Sequence, residues 1–335
     1  MPSAPRIEPS PAPERAPVPA NASPPPATRA HKIWVDLLLY PTHTLPTAAA
    51  PVLVGVGLGI HDGVFAPLPV LVGFLGSWVI HVAGVFADNH ELLRRHPTLP
   101  EHPELNDAIG DGTLRLSTLR AAIGACLAVA LLTVPYLHAI GGAPVLWFGA
   151  VGIAASLSYN AGPAYVRRGL ADPVFFAMFS VVAVPAIWFI QAAAVRGAPA
   201  PWELLRSVPH DALVVGLPAG AIVTSVMLID DLRDREFDRE KGWRTFAVRC
   251  GPAFVRREIE LLVAFAYVVP LGLWLATGFG PWVLLPLASL PLARRILSVL
   301  RSYERREQLA PMSPQMARLA LVHSALLAAG LALSR

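Results

Sequence analysis

Cysteine is almost absent: the chain of 335 residues contains two, Cys126 and Cys250. They lie far apart with no metal-ligand spacing, so a disulfide framework and a cysteine-based zinc centre are excluded and neither thiol is expected to carry chemistry. Charge is scarce as well. Only 15% of residues are Asp, Glu, Lys or Arg while 54% are hydrophobic, and a mean hydropathy of +0.52 exceeds what a soluble domain sustains. At the N-terminus no short basic start leads into an apolar stretch, so no cleaved secretory signal is expected. Pro, Ala and Ser dominate residues 1–30, and runs such as Pro24-Pro25-Pro26 support neither helix nor sheet. That segment reads as a disordered tail ahead of one transmembrane domain, residues 31–335.

What is abundant is apolar sequence in segments of about 20 residues, each enough to cross a ~30 Å hydrocarbon layer as a helix. The approximate spans are 33–60, 67–88, 117–138, 143–162, 171–194, 211–232, 257–277, 281–300 and 315–334. The expectation is an all-α polytopic membrane protein of about nine transmembrane helices around a central cavity. Basic residues collect in alternate loops: Arg29 and Lys32, then Arg94, Arg95 and Arg115, then Arg167 and Arg168, then Arg233 to Arg257, then Arg301, Arg305 and Arg306. The opposite loops hold almost none. The positive-inside rule puts the N-terminus, the charged loops and the mouth of the cavity in the cytoplasm of a multi-pass inner (plasma) membrane protein. This asymmetry accounts for the net charge of +4 without nucleic acid as a partner.

Charge is concentrated where the sixth span ends, in Asp230-Asp231-Leu232-Arg233-Asp234-Arg235-Glu236-Phe237-Asp238-Arg239-Glu240-Lys241. Asp230, Asp234 and Asp238 recur every four residues, so on one helix they drift by about 40° per step and span roughly 12 Å. Three aligned carboxylates repel one another unless cations sit between them, and hard oxygen donors of this kind suit magnesium shared with a substrate phosphate. Asp230, Asp231, Asp234 and Asp238 are therefore candidate metal ligands, with Lys241, Arg244 and Arg249 as candidates for uncovered phosphate oxygens. Arg235 and Arg239 have neighbouring acids at helix spacing. A plain alternative is a solvated juxtamembrane anchor. A second group, Asp88-Asn89-His90-Glu91, follows the second span, and Asp88 and Glu91 share a helical face on which a further metal would sit; the alternative is a wet loop balancing Arg94 and Arg95. His90 and His96 lack the partners of a zinc site.

Asp234 and Asp238, with Gly242 and the run Arg244-Thr245-Phe246-Ala247-Val248-Arg249-Cys250-Gly251, resemble the second aspartate motif of UbiA-type intramembrane prenyltransferases and the G-K-R-T-L-A-V-R-L-G stretch that follows it. Three further segments are similar to the branch that prenylates 1,4-dihydroxy-2-naphthoate in menaquinone synthesis. These are Thr44 to Gly55, Tyr159-Asn160-Ala161-Gly162-Pro163, and Gly169-Leu170-Ala171-Asp172, where that branch commonly has G-L-G-E. The resemblance runs in order over residues 32–335. The family's first motif, N-D-x-x-D-x-x-x-D, here offers Ala87, Asp88, Glu91 and Arg95: the leading amide is lost, one acid is lengthened and the last acid has become a base.

The resemblance implies that both motifs bind Mg2+ ions bridging an allylic polyprenyl diphosphate, whose tail lies in an apolar tunnel toward the lipid bilayer while the prenyl group passes to an aromatic acceptor. Asp88 and Glu91 join the second-motif acids as metal ligands, Asp234 and Asp238 act in catalysis, and Arg95 is a candidate for direct contact with diphosphate. Tyr159 and Trp243 are candidates for facing the allylic cation or for plain interface anchors. Asn160 either hydrogen-bonds a loop or reads the acceptor. His43 and His81 either approach the acceptor or pack helices. Pro46, Pro51, Pro185 and Pro218 are expected to bend helices, and Asp36 and Asp172 to sit at helix beginnings. The altered first motif leaves room for a different acceptor or for lost activity. A CDP-alcohol phosphotransferase has acids at the same spacing but needs a D-G-x-x-A-R run that Asp111-Gly112-Thr113-Leu114-Arg115 does not supply. A cation transporter needs its acids near the bilayer midplane rather than at a helix end.

Overall fold

The computed structural model describes Trp34, residues 44–96 and residues 103–334. The tail, the start of the first expected span, Asp36 and His43 lie outside the described residues. Among the described residues all regular structure is helical, and eight helices are long and apolar enough to cross a membrane. The order is α1 Thr44–His61, α2 Pro67–Arg95, α3 Leu116–Gly141, α4 Ala143–Leu157, α5 Ala171–Arg196, α6 His210–Arg233, α7 Pro252–Ala276, α8 Pro281–Ser302 and α9 Met312–Leu333. The exception to full length is α4. It has 15 residues, roughly 22 Å of helix and short of the ~30 Å a hydrocarbon layer needs. The span expected over 143–162 ends early because the chain turns through Gly162 and Pro163, which do not extend a helix.

Several starts follow from proline in the first turn, where its missing N–H costs nothing: α2, α4, α7 and α8 all begin this way. Inside α5, Met178–Val182 widens into a π-turn just ahead of Pro185. Proline cannot donate to the preceding turn, so the helix opens there, and Met178, Phe179 and Val182 reach the central cavity. Pro51 and Pro218 sit inside α1 and α6.

The helices close into one bundle. α6 is the most enclosed and touches α5, α7 and α9; α1 packs on α9, α2 and α5, and α2 on α3 and α4. Leu71, Leu132, Leu261 and Leu275 are exposed on the outside of the bundle, the pattern expected where the surrounding solvent is lipid. At the α1–α9 crossing the backbones meet directly: a Cβ on Gly57 would stand 2.4 Å from Ala328 Cα.

Candidate active site

Between α1, α2, α3, α4, α5 and α6 lies a cavity of about 450 Å³. Its wall is largely apolar, with Val52, Ile80, Val85, Phe148, Ile153, Phe175, Phe179 and Ile190 among the lining residues. Polar chemistry gathers where α2 and α6 end. Five aspartates, Asp88, Asp230, Asp231, Asp234 and Asp238, line the cavity there with Arg233 and Lys241.

α2 does not stop at residue 88 but continues to Arg95, so Asp88, Glu91 and Arg95 share one helix. Asp88 Oδ1 accepts a hydrogen bond from Asn160 Nδ2 at 2.7 Å. Glu91 is buried and meets three guanidiniums: Arg94 Nε and Nη2 at 3.0 and 2.9 Å, Arg167 Nη2 at 3.3 Å, and Arg95 at close range. Glu91 and Arg95 are not among the cavity-lining residues. Glu91, expected as a metal ligand, and Arg95, expected as a diphosphate contact, are paired with each other here, and Glu91 also meets Arg94 and Arg167.

On the opposite wall the expected single ladder of aspartates is interrupted. α6 ends at Arg233, and Asp234 leaves helical geometry at φ −99° and ψ 7° before a short helix, Arg235–Glu240. Backbone bonds from Asp234 N to Asp230 O and from Asp238 N to Asp234 O persist at 2.9 Å. The spacing survives while the face changes, which relieves the stacking of three like charges. Arg233 bridges the outer two acids, 2.7 Å from Asp230 Oδ1 and 2.5 Å from Asp234 Oδ2, and Ser313 Oγ donates to Asp230 at 2.7 Å. Asp231 and Asp238 are the buried members. The charges of Asp238, Asp172, Asp230 and Asp234 all act on Asp231. Asp238 pairs with Lys241 Nζ at 3.1 Å, both side chains only 4% exposed. Burial nonetheless lifts Asp238 to about 6, against the pull of the ammonium.

Lys241 belongs to both walls: its charge also acts on Asp88, and its Nζ lies 4.0 Å from the centre of the Trp243 ring. Tyr159 is placed similarly. Burial first, and then the carboxylates of Asp88 and Asp231, hold its phenol well above the usual tyrosine range. Its ring meets Tyr165 at 5.5 Å and Phe175 at 5.8 Å. Both Tyr159 and Trp243 line the cavity, as does His81, which stands edge-on to Phe179 at 5.8 Å.

Asn160 is not on the cavity wall; of its two expected roles the hydrogen-bonding one is seen, to Asp88 and to Arg167. Arg244 and Arg249 are exposed and off the wall, whereas Lys241, the third candidate for phosphate oxygens, lines it together with Arg233. The chain bends away after Trp243, whose N–H bonds Asp238 O at 2.8 Å. Arg235 and Arg239 both pair with Glu236 at 2.7 Å. Asp172 opens α5 as expected, yet it is buried and its Oδ1 has no hydrogen-bond partner among the described residues. Two participants escaped the sequence reading. Arg233 stands three residues after Asp230, a helix spacing that signals its pairing; Arg167 meets a glutamate 76 positions away, and no local pattern reports that.

Residues 48–322 match the UbiA prenyltransferase family. A 1,4-dihydroxy-2-naphthoate octaprenyltransferase of Mycobacterium tuberculosis is 30% identical over 286 residues, spanning 80% of this chain and 87% of that protein. One of Mycobacterium leprae is 28% identical over 277 residues, spanning 80% and 86%. Among solved structures, the apo form of a UbiA homologue from Aeropyrum pernix superposes with a TM-score of 0.63 at 17% identity, covering 84% of this chain and 96% of that one. The likeness in structure carries the fold, and the likeness in sequence runs through both acid-bearing helix ends; this membrane-embedded chain belongs to the UbiA prenyltransferase family.

Proposed function

We propose that this prenyltransferase moves a polyprenyl group from its allylic diphosphate to an aromatic acceptor of the 1,4-dihydroxy-2-naphthoate type, the substrate named for its mycobacterial relatives. The observation that carries the reading is the charge imbalance at the head of an apolar cavity, where five aspartates face two cations. An apolar tail suits the lower cavity. A diphosphate alone would be repelled by the acids, so the site calls for cations.

The donor set fits magnesium. Asp231 and Asp238 are buried hard-oxygen donors, Asp88 faces them, and no three His, Cys, Asp or Glu side chains among the described residues converge on one point. Substrate oxygens and water must then complete the shell, which is how magnesium is ordinarily held. When bound, magnesium neutralises the charge that develops on the departing diphosphate. Asp88 on one side and Asp231, Asp234 and Asp238 on the other are the residues that would hold the ion. Lys241 and Arg233 add fixed positive charge at the leaving oxygens. Tyr159, kept neutral, and Trp243 present ring faces where the allylic carbon loses its partner, and the apolar wall keeps water from that carbon. The basic loops next to both motifs support a cytoplasmic mouth in an inner membrane.

Protein purified in detergent with magnesium, labelled polyprenyl diphosphates and a panel of naphthoate and benzoate acceptors is expected to give prenylated naphthoate and no product after chelation. Absence of product with every donor and acceptor rejects the reading.

A further inference from the structure

We infer that the segment from Ser158 to Leu170 is a clasp that sets the two acidic walls against each other, with Arg167 as its central positioning residue; the inference builds on the function proposed above. The chain leaves α4, turns through Gly162 at φ +54° and Ala164 at φ +49°, and folds back so that Tyr165 N and Val166 N bond Ser158 O and Tyr159 O at 3.2 and 3.1 Å. Ala164 is the one non-glycine residue with positive φ among the described residues. A side chain in that region is strained and persists only where its surroundings hold it.

From this turn Arg167 reaches the first wall. Its Nε donates to Asn160 Oδ1 at 2.7 Å and its Nη2 to Asn160 O at 2.6 Å and Glu91 Oε1 at 3.3 Å. Asn160, held from both ends, donates to Asp88 Oδ1 at 2.7 Å. One oxygen of Asp88, a cavity-lining residue, is thereby fixed. Through its backbone Arg167 holds the loop that continues from the far wall: Arg244 N donates to Arg167 O at 3.0 Å, just after the second motif. Two residues on, Gly169 at φ +71° lets that loop approach so closely that a Cβ would stand 2.3 Å from Arg244 O. Val166, on the clasp, is buried in a cluster with Met227 of α6. Arg167 itself is not on the cavity wall. It acts through Asn160, and a carboxylate displaced by about 1 Å loses much of its value to an oriented complex.

The test uses the full chain in detergent with Arg167→Ala, Arg167→Lys and Gly169→Ala. It reads kcat, KM for each substrate, half-activating magnesium, manganese binding with inorganic pyrophosphate by electron paramagnetic resonance, and thermal unfolding. Arg167→Ala and Gly169→Ala are expected to weaken metal–pyrophosphate binding and raise half-activating magnesium by about 10-fold or more, the usual cost of losing an outer-shell partner, with KM for the acceptor unchanged. Arg167→Lys keeps the charge but lacks the fork, so it is expected to recover less than half of the loss. Should the folded Arg167 variants bind metal and pyrophosphate within twofold of the parent, or should losses simply track the folded fraction, the clasp is overturned. A parent protein that binds metal and pyrophosphate but makes no product rejects the proposed reaction while the binding arm still decides the clasp.

Discussion

On α2, Glu91 is enclosed by Arg94, Arg95 and Arg167, and Asp88 is held by an amide. On the facing wall, Asp231 is buried among four other carboxylates, and Asp238 has one ammonium to share with Asp88. The first wall has neutralised its extra acid within the protein and presents one carboxylate to the cavity. The second has left its buried acids short of cations. An uncompensated buried charge is costly, so these acids are where a bound cation gains most. Two motifs of similar composition thus divide into a positioned wall and a charged one.

The largest effect should come from breaking the charged wall. Asp238→Asn is expected to lower kcat by about 10³-fold, the scale on which lost transition-state electrostatics is felt, in a prenyl-transfer assay at saturating magnesium. Asp88→Asn should cost less, about 10²-fold; an equal or larger loss would erase the distinction between the walls. Titrating the charged wall gives the next effect. Burial raises Asp238 to about 6, so the folded state holds that proton more tightly than the unfolded chain. The stabilisation this brings is full below the ordinary carboxylate range and is lost as pH rises through about 6. A cation must displace the same proton, so half-activating magnesium should climb as pH falls below that point, more steeply in the parent than in Asp238→Asn.

Stability separates the walls by sign. Asp231→Asn takes a buried carboxyl out of a group of five and should raise the metal-free melting temperature by a few degrees, ~1 kcal/mol, while activity falls. Glu91→Gln strands three partly exposed arginines and should lower stability by about 1 kcal/mol, with kcat changed little. Thermal unfolding in detergent with chelator reads both, and shifts of the same sign would remove the contrast. The smallest effect is expected at Arg249→Ala, exposed and off the cavity, where steady-state kinetics should stay within about twofold.

Much of this was legible along the chain because a bilayer imposes long apolar helices and because proline marks their starts. The boundary of α4 was not, since composition alone could not show a helix ending before the apolar stretch does. In the site, the acid spacing at Asp230, Asp234 and Asp238 was readable, and so were the pairs of Arg235 and Arg239, which depend only on neighbours in sequence. The break at Asp234 was not, because it is decided by where Arg233 and the buried acids settle.

By itself the sequence determined the membrane class, the order of spans and the two acidic helix ends, all of which follow from local hydropathy and spacing. Only the tertiary structure decided which acids are buried, that Glu91 is covered by arginines from two segments, and that Arg167 links both walls. Charges interact through space over a few ångströms, and in a folded chain those distances are set by residues that lie 70 or more positions apart in sequence.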